Sequence, residues 1–317
     1  MAEETRIRSA TTTTQEPAVT EPATTRDQKS EDAEREFRAA PKLDKSPTHG
    51  LWALTNRDLK KWYKNPIQLL ISLIQPVVWL GLFGKALNFG SFITSIPGAT
   101  QAQINAIMIH TFGTTSYFSF LACGMLAFII LFTSAFSGMS VVFDRRFGFL
   151  NKAMSTPVGR GTIVTAKILQ SVGRSLIQSA IILVLAILLG METANLTVGG
   201  ILGAFVILFL MAFGLSSLFV MLALRSSDWQ TQMAIINLLN LPLLFASNAL
   251  LPVTIMPAWL QTVVKFNPVS YANDATRQLL IGANGAYSLP LDFAVLIGFA
   301  TALGALGIVL SWKLLSK

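Results

Sequence analysis

Hydrophobic positions fall along this chain in long blocks separated by short polar joints, and the length of the blocks is the first clue to the fold. Six stretches are mainly apolar, roughly 67 to 87, 115 to 143, 168 to 190, 199 to 224, 230 to 250 and 291 to 312. About 20 such residues in a helix cover the roughly 30 Å hydrocarbon core of a bilayer. The pattern therefore predicts an all-α integral membrane protein with six transmembrane helices. The fifth stretch is interrupted by Asn237, Asn240, Pro242 and Asn248, which predicts a kinked helix facing protein or a wet path rather than lipid all round.

Three shorter patterns lie between or before these blocks. Residues 51 to 64, LWALTNRDLKKWYK, predict an N-terminal interfacial helix. Trp52, Leu59, Trp62 and Tyr63 can face the lipid boundary while Arg57, Lys60 and Lys64 face water and headgroups. Such a helix is either a plain anchor or a brace that also touches a partner. In FDRRFGFLNKAMSTPVGR, Phe147, Leu150 and Met154 recur at helical spacing, with Thr156 as N-cap and Pro157 as first residue of the next helix. This predicts a short helix along the membrane surface, ringed by Asp144, Arg145, Arg146, Lys152 and Arg160. It either rests on headgroups or offers a knob to a groove. Residues 251 to 282 are too polar and Pro-broken to span. They predict two short re-entrant helices, starting near Pro257 and Pro268, that carry Trp259, Asn267, Tyr271, Asp274 and Arg277. Asp274 and Arg277 are three apart and can pair on one helix face.

Composition sharpens the picture at one point. The chain is 52% hydrophobic and 13% charged over 317 residues, about half the charge of soluble domains. Residues 1 to 48 break the rule, being Thr-, Pro- and Ala-rich with mixed charges and no apolar run. They cannot offset the entropy of ordering and are expected to be a disordered tail ahead of a transmembrane domain at 49 to 317. The tail lacks the apolar core of a signal peptide.

Charge then sets direction. Sixteen Lys and Arg follow the tail, and in the six-span reading thirteen of them fall on one side of the membrane against Lys85, Lys265 and Arg277 on the other. The positive-inside rule places both termini and the loop after the second span in the cytoplasm. So basic an apolar protein is expected to meet anionic membrane lipids and no nucleic acid.

Several chemistries are missing. No G-x-x-x-x-G-K-[ST] loop is present, so the chain has no phosphate cradle of its own. Two isolated His and the single Cys123 give neither a metal-ligand spacing nor a disulfide. No nucleophile elbow occurs, and no catalytic residue is expected. The acids after the tail, Asp58, Asp144, Glu192, Asp228, Asp274 and Asp292, sit in loops or at span ends, which disfavours an ion-coupled carrier. Arg174 comes nearest to a buried charge, and it either snorkels to the edge or faces a substrate path.

Taken in order, Asp144-Arg145-Arg146 and Thr156-Pro157-x-x-Arg160 bracket the loop after the second span, and Met256-Pro257-x-Trp259-Leu260-Gln261 with Asn267-Pro268-x-x-Tyr271 and Arg277 precede the last span. With six spans and an amphipathic lead-in, the chain resembles the membrane subunit, or permease, of type-2 ATP-binding-cassette exporters, in the branch of daunorubicin-resistance-like multidrug and lipid exporters. Asp144 departs from the Glu that many relatives carry there. The resemblance implies a non-catalytic, multi-pass subunit of a prokaryotic cell membrane that works with a second permease copy, identical or paralogous. A cytoplasmic ATPase subunit would bind ATP and Mg. It also implies that residues 147 to 154 form a coupling helix, with Asp144, Arg145, Arg146, Phe147, Leu150, Lys152, Met154, Pro157 and Arg160 at the ATPase interface. Expected cargo is an amphipathic drug, lipid or lipid-linked glycan. The alternative is a membrane scaffold or sensor that partners an ATPase without transporting.

Overall fold

The computed structural model describes residues 47–82, 84, 100–149, 159–226 and 228–315. The tail before Pro47 and the predicted coupling-helix positions Leu150, Lys152, Met154 and Pro157 lie outside the described residues. Every regular element among those described is helical. In chain order they are α1 (Pro47–Tyr63), α2 (Pro66–Gly81), α3 (Gln101–Phe112), α4 (Tyr117–Arg146), α5 (Arg160–Leu188), α6 (Val198–Arg225), α7 (Trp229–Phe245), α8 (Ala258–Val264), α9 (Pro268–Ile281) and α10 (Leu289–Leu315). The protein is an all-helical membrane protein. Among the described residues each of the six predicted blocks holds a helix, and four helical stretches, containing α4, α5, α6 and α10, are long and apolar enough to cross a bilayer.

α4 is the hub. Ser116 caps its start by accepting from the Ser119 amide at 3.3 Å, and from Tyr117 to Leu131 every residue is buried. α6 packs against α4 and α10, and α5 packs against α4, α6 and α1. The closest approaches use small residues: Gly200 sits against the backbone of Leu279 and Gly214 against the ring of Phe299, so both serve packing within this chain. Apolar side chains also cover the outside. Ile67, Leu70, Ile71 and Ile74 of α2 and Ile297, Leu306 and Val309 of α10 are exposed, as suits surfaces whose solvent is lipid.

Helix ends differ from the sequence reading where tertiary contacts decide them. α5 is described from Arg160 and includes the polar turns ahead of the apolar block, which are held by ion pairs described below; its predicted start at Thr156 and Pro157 lies outside the described residues. α7 ends at Phe245 instead of near 250. Asn267 explains this: its Nδ2 donates to Leu243 O at 2.8 Å and Ala246 O at 2.6 Å, and its Oδ1 accepts from the Val269 amide at 3.0 Å. One side chain thus closes α7 and opens α9, satisfying orphan groups of both termini. α1 begins at Pro47, four residues earlier than expected, with Pro at a favoured first position. α3 has no counterpart in the sequence reading, although Thr100 and Gln103 form a capping box and Gly113 ends it at φ 71°.

Candidate functional site

At one end of the bundle, called here the basic end, three helices meet through charge. Asp58 of α1 accepts from Lys167 Nζ of α5 at 2.6 Å, and the same ammonium lies 2.5 Å from Asp144 Oδ2 at the end of α4. Arg57 binds Asp58 Oδ1 through Nε at 2.8 Å and Nη2 at 2.5 Å, and its guanidinium lies 4.0 Å from the centre of the Phe149 ring. Burial alone would raise the Asp58 carboxyl, but the ammonium of Lys167 and the guanidinium of Arg57 outweigh it and hold the group below its ordinary value.

Arg145 takes a second route into the bundle. Its Nη1 donates to Ser226 O at 3.0 Å and its Nη2 to Leu224 O at 2.8 Å, occupying the carbonyls at the C-terminus of α6 where a cation is favoured. Asp144 and Arg145 are therefore turned inward, onto Lys167 and α6, whereas the sequence reading offered both to a partner. Arg146 is exposed, and Phe147 is 78% exposed beside Phe143. Arg160 opens α5 behind Gly159. Trp52 and Lys60 of α1 and Lys64 just after it are exposed, but Trp62, expected at the lipid boundary, is 3% exposed and faces inward. The sequence reading missed the role of Lys167, although its place seven residues before Arg174 puts both on one face of α5.

Above this junction a cavity of about 480 Å³ opens between α1, α2, α4 and α5. Phe128, Phe132, Phe136 and Phe143 supply an aromatic wall from one face of α4, and Arg174 and Gln178 face it from α5. Gln178 accepts from Thr133 Oγ1 at 2.7 Å and donates to Ser72 Oγ at 2.6 Å, tying α5 to α4 and α2. Arg174 reaches Thr133 O only at 3.4 Å. Gln178 was not singled out from sequence; one turn beyond Arg174, its register was the available signal.

The opposite end is built differently. Arg277 of α9 is 3% exposed. Its Nε donates to Phe120 O at 3.1 Å, its Nη2 to Ala249 O at 3.0 Å, and it lies 3.5 Å from the Phe120 ring centre. Asp274 accepts from the amides of Ala286 and Tyr287, both at 2.9 Å, and from Gln278 Nε2 at 3.1 Å. The expected Asp274–Arg277 ion pair is therefore replaced by two separate sets of backbone contacts. Gln278 also donates to Asp292 Oδ2 at 3.1 Å, joining α9 to α10. Tyr271 donates to Lys265 O at 2.7 Å and stacks on Tyr287 at 4.7 Å. Glu192, in the α5–α6 loop, accepts from Thr114 Oγ1 at 2.6 Å and from Thr115 Oγ1, pinning that loop to the entrance of α4. Pro257 and Trp259 are exposed at the start of α8, and Pro268 is the first residue of α9.

Residues 49–281 match the family model described as ABC-2 type transporter. The chain is 34% identical to a putative transport permease, ycf38, of Pyropia yezoensis over 73% of this chain and 74% of that protein. It is 25% identical to the daunorubicin resistance ABC transporter permease protein DrrB1 of Streptomyces coeruleorubidus, over 76% of this chain and 78% of the relative. Nodulation protein J of Rhizobium leguminosarum bv. trifolii is also 25% identical, over 73% and 80% respectively. Relatives this widely spread do not restrict the chain to a prokaryotic membrane.

Proposed function

The chain belongs to the ABC-2 type transporter family, and from that premise we propose that this transmembrane subunit exports an amphipathic drug, lipid or lipid-linked glycan with a separate cytoplasmic ATP-binding-cassette ATPase. The proposal takes the subunit as non-catalytic, with ATP and Mg at the partner's site, and family membership supports the first part. In this reading the basic end faces the cytoplasm, and six helices span, with α2 and α7 completing the set. A second permease copy, identical or paralogous, faces this one.

The observation that carries the coupling proposal is the junction at the end of α4. Asp144 is tied to α5 and through it to α1, while Arg145 is tied to α6. A push on the segment after Arg146 is then transmitted to four helices at once, because ion pairs and carbonyl contacts bind them into one unit. The exposed Phe147 extends beyond that unit as an apolar anchor, joined in this proposal by Leu150 and Met154, while the exposed Arg146 sits at the rim.

Truncating a buried interface anchor costs more than about 2 kcal/mol, roughly thirtyfold in affinity, and a rim charge costs less. Leu150→Asp should insert normally and fail to hold the ATPase, while Arg146→Ala holds it and couples poorly. Co-purification with stimulated ATPase turnover measures both. A Leu150→Asp subunit that retains a full complement of ATPase and exports normally would return residues 147 to 154 to the headgroup surface and leave the scaffold reading in place.

A further inference from the structure

Among the described residues, two buried donors that line a single cavity have no acceptor. They are Trp62 Nε1 and Arg174 Nε, in the space between α1, α2, α4 and α5. The remaining contact of Arg174, Nη2 to Thr133 O at 3.4 Å, is at the long limit of a hydrogen bond. A guanidinium has five N–H donors and stays protonated in proteins. With its Nε out of reach of water and unpartnered among the described residues, the half-buried guanidinium leaves a site that is incomplete as it stands.

The missing partner has a definite charge. Among the described residues no Asp or Glu lines the cavity, and Arg174 is the one ionised side chain there. The nearest carboxylates along α4 and α1, Asp144 and Asp58, are already engaged by Lys167. A positive, acid-free pocket of low dielectric attracts an anion and repels a cation. Its wall selects for more than an ion. The lining residues of α4 run from Phe128 to Phe143, about 22 Å at the helical rise, which exceeds the roughly 15 Å of one leaflet's hydrocarbon. Phe136 and Phe143 are 44% and 38% exposed, so the wall opens sideways out of the chain. The volume lies within the range of small-molecule sites.

We propose that this cavity binds an amphiphile with an anionic headgroup, its phosphate or carboxylate accepting from Arg174 and Trp62 and its tail lying along the phenylalanine face of α4. Gln178, held between Thr133 and Ser72, keeps α2, α4 and α5 at the spacing that leaves the pocket open. If the bound amphiphile is cargo, which rests on the exporter reading, the subunit discriminates against cationic amphiphiles. Binding itself requires no ATPase.

Native mass spectrometry of the full chain, released from detergent with phosphatidylglycerol, phosphatidylcholine or inorganic phosphate, tests the site without nucleotide or partner. Wild-type protein should retain phosphatidylglycerol about tenfold better than phosphatidylcholine, and Arg174→Gln should erase that preference, as loss of a charge-assisted bond implies. Arg174→Lys should keep part of it. Should Arg174→Gln fail to fold, Trp62→Phe, which removes only the N–H, carries the test with an expected loss of about three- to tenfold. Equal retention of both lipids by wild type, or an unchanged preference in the variants, overturns the proposal. So does competition by inorganic phosphate alone, which would make this a plain anion site. A chain that binds phosphatidylglycerol in this way but never recruits an ATPase would instead overturn the exporter reading and leave the site standing.

Discussion

Arg277 is a buried long cation and Arg174 a half-buried one, and the molecule treats them in opposite ways. Arg277 borders a cavity of about 520 Å³ at the end of the bundle holding α8 and α9, yet it donates to two carbonyls on different segments and stacks on Phe120. It is a cross-link, joining α9 to α4 and to the turn after α7. Arg174 borders a cavity of similar size, about 480 Å³, with its Nε unpartnered and a single long contact. The filling of its donors is what separates a structural arginine from an available one.

The strongest way to break this contrast is to remove each guanidinium. Arg277→Gln leaves the carbonyls of Phe120 and Ala249 without their donor in a dry interior, and each unsatisfied buried acceptor costs about 1–3 kcal/mol. The folded yield in detergent should collapse. Arg174→Gln removes a charge that has little to lose, and its unfolding midpoint should correspond to a change within about 1 kcal/mol of wild type. Thermal unfolding of both variants in one detergent decides the matter. Similar losses would show that Arg174 is structural too.

Neighbouring glycines sharpen the same comparison. A Cβ on Gly124 would run into the carbonyl oxygen of Ala249 and come within 3.2 Å of Arg277 Nη2. Gly124→Ala should cost about 1–3 kcal/mol by overpacking. Gly173, beside Arg174 in α5, has nothing within 4 Å of such a Cβ. Gly173→Ala should stabilise by about 0.5–1 kcal/mol through helix propensity. Unfolding midpoints that move in opposite directions would mark one end as packed around its arginine and the other as open.

The sequence made the helices legible because block length alone fixes which segments can cross a bilayer. It also flagged Asn267, Asp274 and Arg277 by their motif, but it could not supply their partners. Arg277 spends its donors on Phe120, 157 residues earlier, and on Ala249, 28 residues earlier; from spacing alone Asp274, three residues away, looked the better partner. Asn267 closes a helix whose last carbonyls lie 21 and 24 residues back. Thr156 and Pro157 signalled a helix ahead of Arg160, but the acids that hold its first turns, Asp58 and Asp144, come from other segments and could not be read from it. α3 was legible in principle, from its Thr100–Gln103 capping box and Gly113, but its block is too short and polar to register as a span. Arg174 could be placed near an edge by counting residues. That its Nε finds no acceptor among the described residues is a property of the packed structure and of nothing shorter.

A third charged site tests the comparison most gently. Lys167 meets neither carbonyls, as Arg277 does, nor an empty cavity, as Arg174 does, but two carboxylates, Asp58 and Asp144. Of the three, only this site can be undone by protons. Burial pushes the Asp58 carboxyl up, and Lys167 and Arg57 pull it further down, so its folded value lies below its ordinary 3.8. A depressed carboxylate contributes stability that is complete above the ordinary value and is lost as pH falls through the folded one. Acidification below about pH 4 should therefore loosen α1 from α5 while leaving the Arg277 contacts intact. The pair is partly exposed, so the expected loss is no more than about 1 kcal/mol. Hydrogen exchange of α1 amides against α9 amides between neutral and acid pH reads it locally, and Asp58→Asn should abolish the acid-dependent part. If α1 and α9 loosen together, or if Asp58→Asn leaves the pH dependence unchanged, the ion-pair junction is not an independent element, and a push at the end of α4 would have to travel through packing alone.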